Sequence, residues 1–154
     1  MRSAEVDRRE LAADLRAAIE GDVRFDTASR ALYATDASNY RQPPIGVVLP
    51  RTLDDVVSVH RICRDHGAPI TPRGCGTSLS GETVNVAVIL DCSKYLTGIG
   101  EVDPERRLVS VEPGAINEHV NRKAGRHGLV FGPDPSTHAY CTIGGNVGNN
   151  SCGR

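Results

Sequence analysis

The chain lacks tryptophan altogether, and its 154 residues hold only one methionine, two phenylalanines and four tyrosines. Base-stacking surfaces need aromatic faces, so this scarcity argues against a single-strand nucleic-acid binder. An excess of one charge is also missing: 18 basic and 19 acidic residues leave a formal net charge of -1, with the basic ones spread along the chain. That removes the electrostatic footprint expected of a nucleic-acid partner. Long apolar runs are absent as well. The longest, residues 86–90, is far too short to cross a bilayer, and no leader-like apolar stretch follows the acidic N-terminal residues, which leads us to expect a cytoplasmic protein without a transmembrane segment. The five cysteines, Cys63, Cys75, Cys92, Cys141 and Cys152, are odd in number and include no CxxC pair or other short ligand spacing, so we expect reduced thiols and no metal site.

What remains is a globular composition, 39% hydrophobic and 24% charged, long enough for one domain with a core. Leu11, Leu15, Ala18 and Ile19 recur at helical spacing with Gly21 at a C′ position, which predicts an amphipathic N-terminal helix. Residues 23–25 read as a strand and 28–34 as a short helix. Gly46 to Leu49 reads as a buried strand ended by Pro50. Thr52 and Asp55 resemble a capping box opening a helix whose apolar face is Leu53, Val56, Val57, His60 and Cys63. Gly67 closes that helix, and 68–71 reads as a strand, completing a β-α-β unit. Residues 86–90 suit a strand covered on both faces. Residues 106–112 alternate as in a half-buried strand with Val109 and Val111 on one face, and Pro113-Gly114 break it. Ile116, Val120 and Ala124 mark a helix to about His127, Gly128 caps it, 129–131 reads as a further strand, and 132–154 reads as loop.

The β-α-β unit feeds the stretch Pro72-Arg73-Gly74-Cys75-Gly76-Thr77-Ser78-Leu79-Ser80-Gly81. Glycine permits close backbone approach and positive φ, so N–H groups from Arg73 to Ser78 can converge on an anion while Thr77 and Ser78 add hydroxyl donors. The alternative is a tight strand connection with no ligand. Two familiar phosphate motifs nearly fit. A Walker-type window begins at Gly76, but Glu82 stands where that loop needs Lys, and a carboxylate there repels nucleotide phosphates. A dinucleotide fingerprint begins at Gly74, but Leu79 stands where a third small residue is required.

The same ten residues resemble the pyrophosphate loop of the flavoprotein family related to vanillyl-alcohol oxidase and p-cresol methylhydroxylase (PCMH), with Cys75 in place of the middle glycine. The resemblance extends to Phe131-Gly132-Pro133-Asp134-Pro135-Ser136-Thr137 and to Cys141-Thr142-Ile143-Gly144-Gly145-Asn146-Val147-Gly148-Asn149-Asn150-Ser151-Cys152-Gly153. It is closest to FAD-linked D-2-hydroxyacid dehydrogenases similar to glycolate oxidase, D-lactate dehydrogenase and D-2-hydroxyglutarate dehydrogenase. The wording of Asp36-Ala37-Ser38-Asn39-Tyr40-Arg41-Gln42 and of residues 148–153 looks most like members fused to an iron–sulfur region.

The resemblance implies an α+β (α/β) PCMH-type FAD-binding fold: residues 1–26 as N-terminal helix and lead-in, then 27–154 as a partial domain with a β-α-β subdomain and the start of a second α/β subdomain. By resemblance the chain is truncated, which invites self-association and leaves it inactive alone. It implies FAD held by Pro72, Arg73, Gly74, Cys75, Gly76, Thr77, Ser78 and Leu79 on one side. On the other side stand Pro133, Asp134 and Ser136, then Thr142, Gly144, Gly145, Asn146, Asn149 and Asn150. Thr77 stands where some relatives carry a His bonded to the flavin, so FAD is expected to be non-covalent. Cys75 is read as a small residue tolerated beside the loop, with a covalent or redox role as the alternative. The implied reaction is oxidation of a small-molecule D-2-hydroxy acid in the full-length parent. No catalytic base is assigned: His60, His66, His119 and His127 fall on or beside helices, and His138 in a loop. A flavin-binding module without turnover and a structural fragment that binds no cofactor are the other readings.

Overall fold

The computed structural model describes residues 6–153, so residues 1–5 of the N-terminal lead-in and Arg154 lie outside the described residues. Helix α1 (Arg8–Ala18) starts where the Asp7 carboxylate accepts from the N–H groups of Arg9 (2.8 Å) and Glu10 (3.2 Å). Its buried Leu11 and Leu15 face a four-stranded sheet. The helix stops at Ala18 with an extended Ile19, short of the expected glycine. Gly21 instead serves a close approach: a Cβ there would lie 2.3 Å from the Leu49 carbonyl oxygen.

The sheet contains β1 (Asp22–Arg24), β2 (Gly46–Leu49), β3 (Ile70–Arg73) and β4 (Val88–Asp91) in the order β1-β2-β4-β3. Strand β1 runs antiparallel to β2, whereas β4 pairs in parallel with both β2 and β3. The predicted β-α-β unit is thus split: β4 lies between the two strands joined by α3 (Leu53–Asp65). Every residue of β2 and β4 is buried, as unbroken apolar runs require when both faces are covered. One face presents Val48, Val88 and Leu90 to Leu11, Leu15, Val59 and Cys63; the other presents Val47, Leu49 and Ile89 to Tyr33 and Tyr95. Tyr33 follows α2 (Thr27–Leu32), which Asp26 caps by accepting from Ser29 N.

The expected apolar face of α3 is displaced. Leu53, Val57 and His60 are exposed, and the inward row is Asp55, Val59 and Cys63, flanked by Val56 and Ile62. Apolar patterning misplaces this face because Asp55 is buried yet fully used. Thr52 Oγ1 accepts from its N–H (3.0 Å), while its own carboxylate accepts from Glu20 N (3.0 Å) and Arg51 N (2.8 Å), stitching α1 to α3.

Strands β5 (Ile99–Asp103) and β6 (Leu108–Val111) form a separate antiparallel hairpin, with Arg107 at φ 55° beside its turn. Strand β5 has no sequence-level signal, because Gly98, Gly100 and Glu101 interrupt any alternation. Helix α4 (Asn117–Gly125) follows. The strand expected at 129–131 does not form: Leu129 N donates to Ala124 O (3.2 Å) and Phe131 N to Asn121 Oδ1 (2.7 Å), so α4 takes the donors a ladder would need. The segment expected as loop contains a further helix, α5 (Ile143–Gly148). Its three glycines are poor helix formers. Capping and docking hold it: Thr142 Oγ1 accepts from Gly145 N (3.1 Å), and the N–H groups of Ile143 and Gly144 donate to Ala115 O and Pro113 O, both at 2.8 Å. No helix among the described residues is long and apolar enough to cross a membrane.

Candidate functional site

Strand β3 ends at Arg73, whose carbonyl accepts from Cys92 N (3.0 Å), and the chain then leaves the sheet. From Gly74 to Leu79 no hydrogen bond among the described residues takes up a backbone N–H, so six consecutive donors are unspent. Gly76 holds φ at 68°, a left-handed conformation that glycine adopts without strain, and its carbonyl accepts from Ala37 N (3.0 Å). Ser78 Oγ accepts from Ser80 N (3.2 Å) and Glu82 N (3.3 Å), which fixes the far end of the loop and keeps the hydroxyl proton available.

The loop is braced from behind. The Arg73 guanidinium donates to Thr35 O (2.9 Å) and Thr83 O (3.4 Å) and sits 5.2 Å from the centre of the Tyr33 ring. It is a strut rather than a ligand. The Asp36 carboxylate accepts from Ser38 N (2.9 Å) and Thr83 Oγ1 (2.9 Å); partial burial raises its pKa, but these hydrogen bonds outweigh burial and hold it below the usual carboxylate value. Asp91, at the end of β4, accepts from Tyr33 OH (2.6 Å) and from both N and Oγ of Ser93, and burial with this acceptor pushes the Tyr33 phenol well above its ordinary range.

Facing the loop is the start of α5. A Cβ on Gly74 would lie 2.3 Å from Thr142 Oγ1, so only glycine allows the two segments to meet. Between them opens a cleft of about 330 Å³, large enough for part of a dinucleotide. Asn146 lines it, only 5% exposed, and its Nδ2 has no hydrogen-bond partner. A buried amide donor left unpaired costs about 1–3 kcal/mol, which a bound acceptor would recover. One wall of free N–H groups and one of a buried unpaired amide together fit a phosphate-bearing ligand. A second cleft of about 320 Å³, bordered by Pro72, Cys92, Pro113 and Gly144, shares Gly74, Glu82, Thr83, Gly145 and Asn149 with the lining of the first.

Of the residues expected to hold the cofactor, Gly74, Cys75, Gly76, Thr77, Ser78, Leu79, Ser136, Thr142, Gly145, Asn146 and Asn149 line the first cleft, and Pro72, Arg73 and Gly144 border the second. Three line neither. The Pro133 carbonyl accepts from Asn117 Nδ2 (2.9 Å), Asp134 pairs with His138 (3.0 Å), and Asn150 closes α5 at φ 47°. Ser80, Glu82, Thr83, Pro135, Thr137, Cys141 and Ser151 also line the first cleft, though they are not among the residues expected to hold FAD. Their signal was only proximity to marked residues. Cys75 is exposed as a residue, yet partial desolvation of its sulfur beside the loop, with Asp91 and Cys141 adding to the effect, pushes the thiol upward, so it stays protonated at neutral pH. None of the histidines lines either cleft: His60 contacts Val56 O (2.9 Å), and His66 joins Asp14 (2.7 Å) across α1 and α3.

This arrangement suits a domain that receives a phosphate-bearing cofactor through backbone and amide donors. Residues 44–154 match the FAD binding domain family, and the chain belongs to it; its cofactor is FAD. The glycolate oxidase subunit GlcD of Bacillus subtilis (strain 168) is 37% identical over 139 residues, covering 88% of this chain and 30% of that protein. A D-2-hydroxyglutarate dehydrogenase of Haemophilus influenzae is 33% identical over 138 residues, covering 88% of this chain and 13% of that protein. The chain therefore spans less than a third of these relatives. In fold it superposes on p-cresol methylhydroxylase with a TM-score of 0.77 at 22% identity, covering 95% of this chain and 30% of that one. With alkyldihydroxyacetonephosphate synthase the TM-score is 0.82 at 20% identity, covering 94% and 30%. The α+β fold is the PCMH-type FAD-binding fold.

Proposed function

We propose that this chain is the FAD-holding portion of an oxidoreductase that oxidises a D-2-hydroxy acid by hydride transfer to the flavin, with FAD bound non-covalently. The observation that carries the cofactor half of this reading is the run of six unspent N–H groups at 74–79 facing the unpaired Asn146 amide. The N–H groups and the Thr77 and Ser78 hydroxyls receive the pyrophosphate; Thr142 holds α5 against the loop, and Asn146 donates into the same space. Bound FAD supplies the two-electron acceptor. Thr77 offers no ring nitrogen for attachment to the flavin, and the Cys75 thiol stays protonated, which supports a non-covalent complex.

The substrate half rests on the relatives' names, D-2-hydroxyglutarate dehydrogenase and glycolate oxidase. Oxidising a 2-hydroxy acid needs a cation for the carboxylate and a base for the hydroxyl proton. Among the described residues no Lys, Arg or His lines the first cleft, so we assign both roles to parts of a longer protein that this stretch does not include, and we take the stretch alone to be inactive. Residues 27–154 form the flavin domain in this reading, with 1–26 as a helical lead-in.

Titration of the chain with FAD, followed by flavin fluorescence, should saturate at one equivalent, and acid precipitation should release all the flavin to the supernatant. In a full-length protein carrying this stretch, D-2-hydroxyglutarate or glycolate should bleach the flavin absorbance under anaerobic conditions. Yellow pellets after acid treatment would overturn the non-covalent assignment. A flavin that no 2-hydroxy acid bleaches would overturn the substrate class.

A further inference from the structure

Among the described residues, Glu82 is the only one with a formally charged side chain that lines the phosphate cleft, and its charge has the wrong sign for a phosphate. Its backbone N–H is held by Ser78 Oγ (3.3 Å), yet its carboxylate meets no hydrogen-bond donor or cation among the described residues. Arg73, which borders the second cleft with it, is committed to Thr35 O, Thr83 O and the Tyr33 ring. Glu82 also borders the second cleft, so it stands where the two clefts share a wall.

An ionised carboxylate can only accept hydrogen bonds. In a flavin dinucleotide the pyrophosphate is flanked on both sides by hydroxyl-bearing chains: the ribityl chain on one and the adenosine ribose on the other. Whichever half of FAD extends from the phosphates toward the second cleft, the group next to them is a polyol. We propose that Glu82 is the receptor for sugar hydroxyls of FAD, accepting from neighbouring hydroxyls of the ribityl chain or of the ribose, and that it makes this edge of the phosphate cleft selective for an uncharged polyol. This rests on FAD being the ligand of the first cleft. It also accounts for a carboxylate being present where nucleotide-binding loops elsewhere need lysine.

The test is FAD binding by the full chain and by its E82A and E82Q variants, using FAD and two analogues, one deoxygenated at the adenosine ribose and one along the ribityl chain. Glu82 is exposed, so both variants should keep the wild-type circular dichroism. E82A should raise the Kd for FAD about tenfold, and E82Q, which keeps a carbonyl acceptor, about threefold. One analogue should bind the unmodified chain about tenfold more weakly than FAD and bind E82A as well as FAD does; which one identifies the sugar. Tighter FAD binding by E82A or E82Q would show a merely repulsive carboxylate and overturn the proposal. So would a penalty for both analogues that survives in E82A, or no penalty in the unmodified chain. Failure of the unmodified chain to bind FAD would overturn the cofactor reading itself, and this proposal with it.

Discussion

The two walls of the cleft solve the same problem in opposite ways. The wall at 74–79 leaves all six of its backbone donors unspent, whereas the wall at 133–151 spends most of its own: Gly145 N donates to Thr142 Oγ1, Ile143 N and Gly144 N to Ala115 O and Pro113 O, and Ser151 N to Asn146 O (2.8 Å). Among the buried side-chain groups of the described residues, the Asn146 amide is the one left without a partner. The difference separates two duties. The first wall supplies dipoles and depends on being held from behind by Arg73 and Asp36; the second supplies shape and one buried side-chain donor, and is held by its own cap and by docking on Pro113, Ala115 and Asn117.

Bringing the walls apart should have the largest effect. Gly74→Ala places a methyl against the buried Thr142 Oγ1, which is already engaged as a cap, and should weaken FAD binding by about 3 kcal/mol, roughly a hundredfold. Thermal unfolding should shift far less, because the sheet core lies elsewhere. Gly76→Ala perturbs the first wall alone. The added methyl presses on the Arg73 guanidinium that braces the loop, and the left-handed φ alone strains alanine by about 1–2 kcal/mol, so FAD affinity measured by fluorescence titration should fall at least about tenfold.

Asn146→Ala separates the duties within the second wall. It should lower FAD affinity by about 1 kcal/mol, near fivefold, while leaving the cofactor-free chain as stable or more so, since an unpaired buried donor is removed. A chain destabilised without FAD would mean that Asn146 is a structural residue and the two walls are less distinct than the hydrogen bonding indicates. The smallest effect on binding belongs to a residue outside both walls. Asp22 accepts from Lys94 and Arg24, which hold its carboxyl down from 3.8 to about 2. A depressed carboxyl contributes stability above its unfolded value and loses it as pH falls through the folded one, so chain stability should decline between about pH 4 and 2. Asp22→Asn should flatten that decline in acid unfolding curves and leave the Kd for FAD unchanged.

The first wall was legible in the sequence because closely spaced glycines with Thr77 and Ser78 state a backbone requirement directly. The second wall was legible as a motif but not as structure. Gly144, Gly145 and Gly148 argue against a helix, and what makes α5 is its cap and its docking on Pro113 and Ala115, both tertiary facts. Strand β5 escaped for the same reason, since its glycines acquire strand geometry only by pairing with β6. The rotation of α3 shows the converse: Asp55 reads as surface until Glu20 N and Arg51 N are seen to satisfy it.

The insertion of β4 between β2 and β3 has a kinetic consequence. A chain emerging in order from the ribosome completes β2, α3 and β3 and extrudes the 74–79 loop while the central place in the sheet is still vacant. Strand β3 pairs only with β4, so the loop has no fixed base until Val88–Asp91 arrives, and no opposing wall until Thr142 does. Non-local pairing of this kind is slow to form. Capture of the cofactor between both walls therefore requires Val88–Asp91 and Thr142 to be in place first.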